Sequence, residues 1–304
     1  MNEISFVILT WNSERTILDC LRSVSRKCAA EGLRYEICVV DNGSSDRTVE
    51  LARGYCGSDG NKRVMLLGRN MGTTFPRNIA LSMSRHGVLC ILDSDAMLMG
   101  GSLGGLVSRL RDRSIGIIAP RLLLPDGSVQ HSVKKFPSVT AKLLKIPRIV
   151  LKVPLRDLDF YPGFPFEGDT DVETAISACW FLRQETFLEI GPLDERIFYA
   201  PEDVDYCLRV IKSGKRILYC TDLTVLHHTQ QITHRNFLGR HAVSHLYGLL
   251  YYFAKHMYIK RPRVPAADGT GCKPSNGDGM GEEAGRAAGG GSIREGTSRT
   301  GPNR

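Results

Sequence analysis

The tripeptide Asp93-Ser94-Asp95 ends the apolar run Val88–Leu92. A run of that length reads as a buried strand, and in an open α/β sheet ligands gather at the carboxyl ends of the strands. Two carboxylates placed there must meet water, a cation or hydrogen-bond donors, because burying them unpaired is costly. Hard oxygen ligands suit magnesium or manganese, which keep some waters and take up phosphate oxygens from a substrate. Asp93 and Asp95 are therefore candidates for holding a metal–nucleotide complex, with a plain solvated turn as the alternative. His227 ends another short apolar run, Leu223–Leu226, on the loop side. A neutral imidazole beside two aspartates would complete a mixed nitrogen and oxygen site for a divalent ion. A structural or solvated histidine fits the same position.

Asp41 follows the apolar run Glu36–Val40 and opens Asn42-Gly43-Ser44-Ser45-Asp46. An Asx-turn and a helix cap account for residues 42 to 46. Neither requires an acid at position 41, where a carboxylate could accept a hydrogen bond from a pyrimidine imide N–H, beside a loop built from Thr10–Ser13. Glu202, Asp203 and Asp205 crowd the first turn of a helix opened by Pro201. The helix dipole favours acids there, but three exceed what a cap requires. Neighbouring carboxylates raise one another's pKa, which suits a general base that takes a proton from an acceptor hydroxyl. Asp203 is the candidate for that base.

These side chains need a scaffold that brings strand ends together. Strands are predicted at Ser5–Leu9, Glu36–Val40, Val64–Leu67 and Val88–Leu92, alternating with helices from about Glu14 to Lys27, from Asp46 to Arg53 and from Pro76 to Arg85. Ser13 is placed to cap the first of these helices. Such alternation means βαβ units, a parallel sheet, and all strand-end loops on one edge. After Asp95 the rhythm changes: a helix at Leu103–Arg113, a strand at Gly116–Ala119, and a hairpin of Arg121–Leu124 and Ser128–Val133 around Pro125-Asp126-Gly127. Residues 137–172 read as a long, partly helical acceptor-side insertion. Further on lie a strand at Ala175–Leu182, a helix at Gln184–Ile190, an amphipathic helix with Val204, Cys207, Leu208 and Ile211 on one face and Gly214 at its end, short strands Ile217–Tyr219 and Leu223–Leu226, and a helix Phe237–Tyr258.

The composition bounds the rest. With 304 residues, 42% apolar and 24% charged, the chain has the make-up of a globular protein with one or two domains. Its net charge of +8 favours an anionic partner, yet no Lys/Arg block is dense enough for nucleic acid. Nine scattered cysteines without CxxC pairs read as reduced thiols in a cytoplasmic chain. No signal peptide and no apolar stretch of about 20 residues is expected to anchor it. The aromatic and basic stretch His245–Arg263 reads as a core-packing helix that could also rest on an anionic bilayer. From about Arg261 the Gly-rich tail is expected to be disordered.

In this order the stretches resemble the inverting glycosyltransferases of family 2, with the GT-A fold, from Ile4 to about Tyr258. Thr10-Trp11-Asn12 is similar to that family's first loop, and Val39-Val40-Asp41-Asn42-Gly43-Ser44-Ser45-Asp46 to its nucleotide-base loop. Asn70-Met71-Gly72 through Arg77-Asn78 resembles its Asn-x-Gly…Arg-Asn segment, Leu92–Asp95 its DXD motif, and Gly191–Arg196 with Pro201–Arg209 its acceptor-side block. Val225–His228 matches the segment where some members place a metal-binding histidine, and the Pro-Asp-Gly turn with Gln130-His131-Ser132 is closest to the rhamnosyltransferase-like branch. Ser177 and Ala178 stand where many members carry Gly, and Thr73–Pro76 is bulkier than usual.

The resemblance implies a Rossmann-like, mostly parallel sheet flanked by helices, with a nucleotide-sugar-binding half over 1–120, an acceptor-binding and catalytic half over 121–260, and a tail over 261–304. Thr10, Asn12, Asp41, Asn70, Arg77 and Asp93 would then bind the nucleotide, Asp95, Asp93 and His227 a manganese or magnesium ion, and Asp203, with Glu202 as second choice, would be the base. It implies transfer of a hexose or deoxyhexose from a nucleoside-diphosphate sugar to a glycan or lipid-linked glycan, in cell-surface polysaccharide synthesis at the inner face of the membrane. A catalytically inactive nucleotide-sugar-binding module and a polyprenyl-phosphate glycosyltransferase are the alternatives.

Overall fold

The computed structural model describes residues 2–138, 159–229 and 240–257. Its first half is a βα alternation: β1 (Glu3–Thr10), α1 (Ile17–Ala30), β2 (Arg34–Asp41), α2 (Thr48–Cys56), β3 (Lys62–Leu66), α3 (Thr74–Ser82) and β4 (Val88–Asp93). The near-continuous Ile, Val, Leu and Cys of β1, β2 and β4 suit strands covered on both faces. Then follow β5 (Ala96–Gly101), α4 (Leu103–Arg109), β6 (Ile115–Leu123), β7 (Val133–Lys134), β8 (Thr170–Val172), β9 (Thr174–Ala175), β10 (Cys179–Arg183), α5 (Gln184–Ile190), α6 (Glu202–Lys212), β11 (Arg216–His227) and α7 (Arg240–His256).

The central sheet runs β3-β2-β1-β4-β10-β6-β11-β5, with β8 paired to β11 at the side. The expected parallel arrangement holds for β3 through β4. Beyond β4 the sheet becomes mixed, because β10 enters antiparallel to both β4 and β6. Register decides where the site forms. Thr10 pairs with Asp41 and Leu9 with Asp93, so the carboxyl ends of β1, β2 and β4 finish side by side. Successive residues of β10 point to opposite faces: Phe181 enters the core beneath α1 and α4, and Trp180 the core beneath α3 and α6. Both are fully buried, and each contributes about 2 to 3 kcal/mol relative to exposure.

Several expectations are corrected. Ser13 caps no helix with its side chain: its carbonyl accepts from Thr16 and Ile17, and its hydroxyl turns to Ser94, 2.8 Å away. Pro76 is the third residue of α3, within its first turn rather than at its start. The helix expected over Leu103–Arg113 stops at Arg109. The Pro-Asp-Gly turn is present, but its hairpin is a single bridge between Leu123 and Val129, and β7 pairs with β9 instead. The strand expected over Ala175–Leu182 breaks into β9 and β10, whereas the two short strands near 217 and 223 fuse into β11, which is bulged between Cys220 and Thr224. Strand β5 has no counterpart in the expected elements. Gly214, at φ +83, ends α6 as expected. Residues 139–158 of the expected insertion and the tail over 261–304 lie outside the described residues.

No helix among the described residues is long and apolar enough to cross a membrane. Eight described cysteines are free and buried, in keeping with their reading as small apolar side chains.

Candidate active site

The rim formed by β1, β2 and β4 is built first by its loops. Asp41 Oδ2 accepts hydrogen bonds from the Gly43 and Ser44 amides, each at 3.1 Å, so the acid itself makes the Asx-turn. Its other oxygen, Oδ1, is buried with no partner, as is the Thr10 hydroxyl one strand over. A buried carboxylate oxygen and a buried hydroxyl without partners at the strand ends call for a ligand, since a buried polar group left unpaired costs about 1 to 3 kcal/mol. Asn12, at φ +50, accepts from the Ser45 amide at 2.8 Å and so locks the first loop to the second. Asn42 does the same for the third: its Nδ2 donates to Asn70 Oδ1 and Gly72 O, and its Oδ1 accepts from the Met71 amide at 2.7 Å. Gly72 allows close approach, because a Cβ there would lie 2.2 Å from the Phe198 carbonyl oxygen. The hydroxyls of bulky Thr73 and Thr74 donate to the carbonyls of Tyr199 and Ile197 and hold that segment in place.

Asp93, Asp95 and His227 come together: each offers one ligand atom, all within 4.8 Å of one another. Two carboxylates and an imidazole form a donor set that suits manganese or magnesium. His227 Nε2 lies 3.4 Å from Asp95, and its Nδ1 lies 2.8 Å from Gln130 Oε1. Gln130 thus fixes the ring from behind, a role that the sequence reading missed. Burial pulls the His227 pKa down, but the hydrogen bond its ring donates to Asp95 and the charges of Asp95 and Asp93 outweigh it and leave it raised.

Arg77 ties this corner to the acceptor side. It is 3% exposed, and its guanidinium donates to Asp93 at 2.6 Å, Ser177 at 2.9 Å and Glu202 at 3.2 Å. Burial works against its charge, but Asp93 and Glu202 more than offset this. Ser177 is the second residue that the sequence reading left without a role. It reaches the site because β10 runs antiparallel to β4, with the Asp93 amide donating to the carbonyl of neighbouring Ala178.

Of the three acids on α6, two lie within electrostatic reach of Arg77. Burial raises the pKa of both Glu202 and Asp203, and the charge of Asp203 raises Glu202 further. Glu202 is buried against Arg77 and Ser177, whereas Asp203 is only half-buried and accepts from the Val204 amide. The third acid does not belong with them. Asp205 is fully buried on the opposite side, bonded to Arg209, Lys255 and His256. Burial alone would raise its pKa, but bonds from His256 and Lys255 and the charge of Arg209 hold it at about 2. His256, read as a packing or solvated residue, is thus part of a buried ion network.

The model of the family described as Glycosyl transferase family 2 matches residues 5–191. Among similar curated proteins, glycosyltransferase AglE of Haloferax volcanii is 22% identical over 74% of this chain and 66% of its own length. The N-acetylglucosaminyl-diphospho-decaprenol L-rhamnosyltransferase of Mycobacterium tuberculosis is 28% identical over 69% of this chain and 70% of its own. The chain thus spans about two thirds of the length of these relatives. Among solved structures, GalNAc-T7 with UDP, GalNAc and Mn2+ superposes with a TM-score of 0.57 at 17% identity, covering 75% of this chain and 43% of its own. S. aureus TarS 1-349 does so with a TM-score of 0.50 at 18% identity, covering 74% and 60%.

Proposed function

The chain belongs to glycosyl transferase family 2 and has the GT-A fold, and from that premise we propose that it moves a hexose or deoxyhexose from a nucleoside-diphosphate sugar to a hydroxyl of a glycan or lipid-linked glycan. The observation that carries this reading is the bridge made by Arg77. It joins Asp93, at the candidate metal corner, to Glu202 at the head of α6, beside Asp203, and so supports a reading in which donor and acceptor sides work together. The rhamnosyltransferase among the relatives supports a rhamnose-like donor and a lipid-linked acceptor in cell-surface polysaccharide synthesis. GalNAc-T7, solved with UDP, GalNAc and Mn2+, has the same fold. Residues 1–120 form the donor half in this reading and 121–260 the acceptor half, and the free buried thiols support a cytoplasmic setting.

Each residue then has a defined task. The unpartnered Oδ1 of Asp41 accepts the imide N–H of the base, and Thr10, Asn12 and Asn70 shape the loops around it. Asp93, Asp95 and His227 hold the divalent ion. A manganese or magnesium ion there would supply Lewis-acid neutralisation of the departing diphosphate. Asp203 takes the proton as the acceptor oxygen forms its bond to the anomeric carbon. The bond from that carbon to the diphosphate breaks on the opposite side, and its electron pair leaves with the nucleotide. Inversion follows from this in-line geometry, and holding both substrates at one rim supplies much of the acceleration. Glu202, locked to Arg77, positions the α6 terminus rather than carrying the proton.

Release of free nucleoside diphosphate from UDP- and dTDP-sugars, with and without manganese, tests the reading. Asp95→Asn is expected to abolish metal-dependent donor binding. Asp203→Asn is expected to keep donor affinity and lower turnover by about 10²- to 10⁴-fold. Near wild-type turnover by Asp203→Asn would remove the base assignment, and no nucleotide release by the wild type would leave a pure binding module.

A further inference from the structure

Helix α7 has two faces with different fates. Its inner face is pinned to the acceptor side of the molecule. Tyr252 is fully buried, Lys255 bonds to Asp194 and Asp205 at 2.7 Å each, and His256 bonds to Asp205 at 2.8 Å. Gly248 lies so close to the peptide preceding Pro201 that a Cβ would sit 2.2 Å from the Ala200 carbonyl oxygen. The helix therefore cannot roll to hide its other side. That other side carries Leu246, Tyr247 and Leu250, exposed by 58%, 64% and 62%, and Met257, 86% exposed, follows directly after the helix. At 100° per residue Leu246, Tyr247 and Leu250 fall within one stripe.

The sequence on either side of the helix carries charge of one sign. From Leu223 to Ala267 the chain contains no Asp or Glu, while Arg235, Arg240, Lys260, Arg261 and Arg263 bracket the helix in sequence. Lys255 is already engaged by two carboxylates. An apolar stripe on a helix bracketed in sequence by basic residues, with a tyrosine whose polar tip suits a wet boundary, has the composition of an interfacial helix. A second copy of the chain would bring this positive flank against its own image, like charge on like charge. A surface of anionic lipid brings the opposite sign.

We propose that the outer face of α7 docks the chain on an anionic bilayer, through insertion of Leu246, Tyr247 and Leu250 among the headgroups. Because the inner face is fixed to Asp205 and to the Ala200 peptide at the head of α6, docking also holds the base-bearing helix at a set distance from the membrane. This gives the lipid-linked reading of the acceptor a physical basis. It rests on that reading for its purpose alone.

The full chain, mixed with vesicles of phosphatidylglycerol and phosphatidylcholine in equal parts, is expected to sediment with them at low salt. It is expected to stay in the supernatant with phosphatidylcholine alone. Leu246→Gln with Leu250→Gln should weaken vesicle binding by about tenfold or more, with metal-dependent nucleotide release unchanged. Lys260→Glu with Arg261→Glu should weaken binding to the anionic vesicles through charge alone. Three results would overturn the proposal: a wild type that does not sediment, a leucine double variant that sediments like it, or a wild-type dimer that this variant turns into a monomer. Vesicle binding without nucleotide release would sink the transferase reading and leave this surface standing.

Discussion

Asp41 divides its oxygens, one fixing its own turn and the other buried without a partner. In Asp41→Asn the amide oxygen is expected to keep the Gly43 and Ser44 bonds. The NH2 group would then face the imide N–H, donor against donor. Nucleotide affinity measured by calorimetry should fall by about tenfold or more, with little loss of thermal stability. Asp205 tests the opposite kind of acid. Its folded pKa of about 2 lies below the ordinary 3.8, so its contribution of roughly 2 kcal/mol is full above about pH 4 and fades as pH falls toward 2. Acid unfolding of Asp205→Asn is expected to lose that pH dependence, and its stability at neutral pH should drop by about 3 kcal/mol because Arg209 and His256 lose their buried anion. The sequence pointed to the clustered acids but not to their division. Residues two apart on a helix face opposite ways, and the Arg209 four positions on was the sign that Asp205 belonged elsewhere. Ser177 and Gln130 were hidden for another reason: their roles come from partners far away in sequence, Arg77 and His227.

Among the elements, those with a strong period were legible and those made by their neighbours were not. Strands β1, β2 and β4 and helix α6 announce themselves through short, mostly apolar runs or a clean helical stripe. Strand β5 is Ala-Met-Leu-Met-Gly-Gly, with few residues that favour strands, and it exists because β11 pairs along it and α1 packs on it. The split between β9 and β10 likewise depends on which partner each meets, β7 or β4. Helix α7 offers a test at this scale. Gly248→Ala should favour the isolated helix by about 1 kcal/mol. In the folded chain the added methyl meets the Ala200 carbonyl, so the melting temperature is expected to fall, by an overpacking cost of about 1 to 3 kcal/mol. A rise in melting temperature would show that α7 does not press on that peptide.

At the scale of the whole molecule, the sheet belongs to both halves of the chain. β4 and β6 are joined only through β10, so residues 179–183 close a gap between strands made far earlier. A fragment ending at Leu123 would leave two long apolar strands with open edges and is expected to aggregate on expression, as sedimentation of the lysate would show. Composition foretold a large globular chain, and the βα rhythm foretold the first four strands, but no local pattern announces that a late strand inserts between two early ones.

That insertion also sets a timetable for synthesis. A ribosome that has delivered β1 to β4 has made a parallel unit able to collapse on its own helices, whereas the nascent β5 and β6 must wait for partners translated 60 or more positions later. Arg77 waits with them, its charge half-matched by Asp93 until Ser177 and Glu202 emerge. Protease protection of stalled nascent chains should therefore appear in two steps, and the catalytic rim should be completed only in the second.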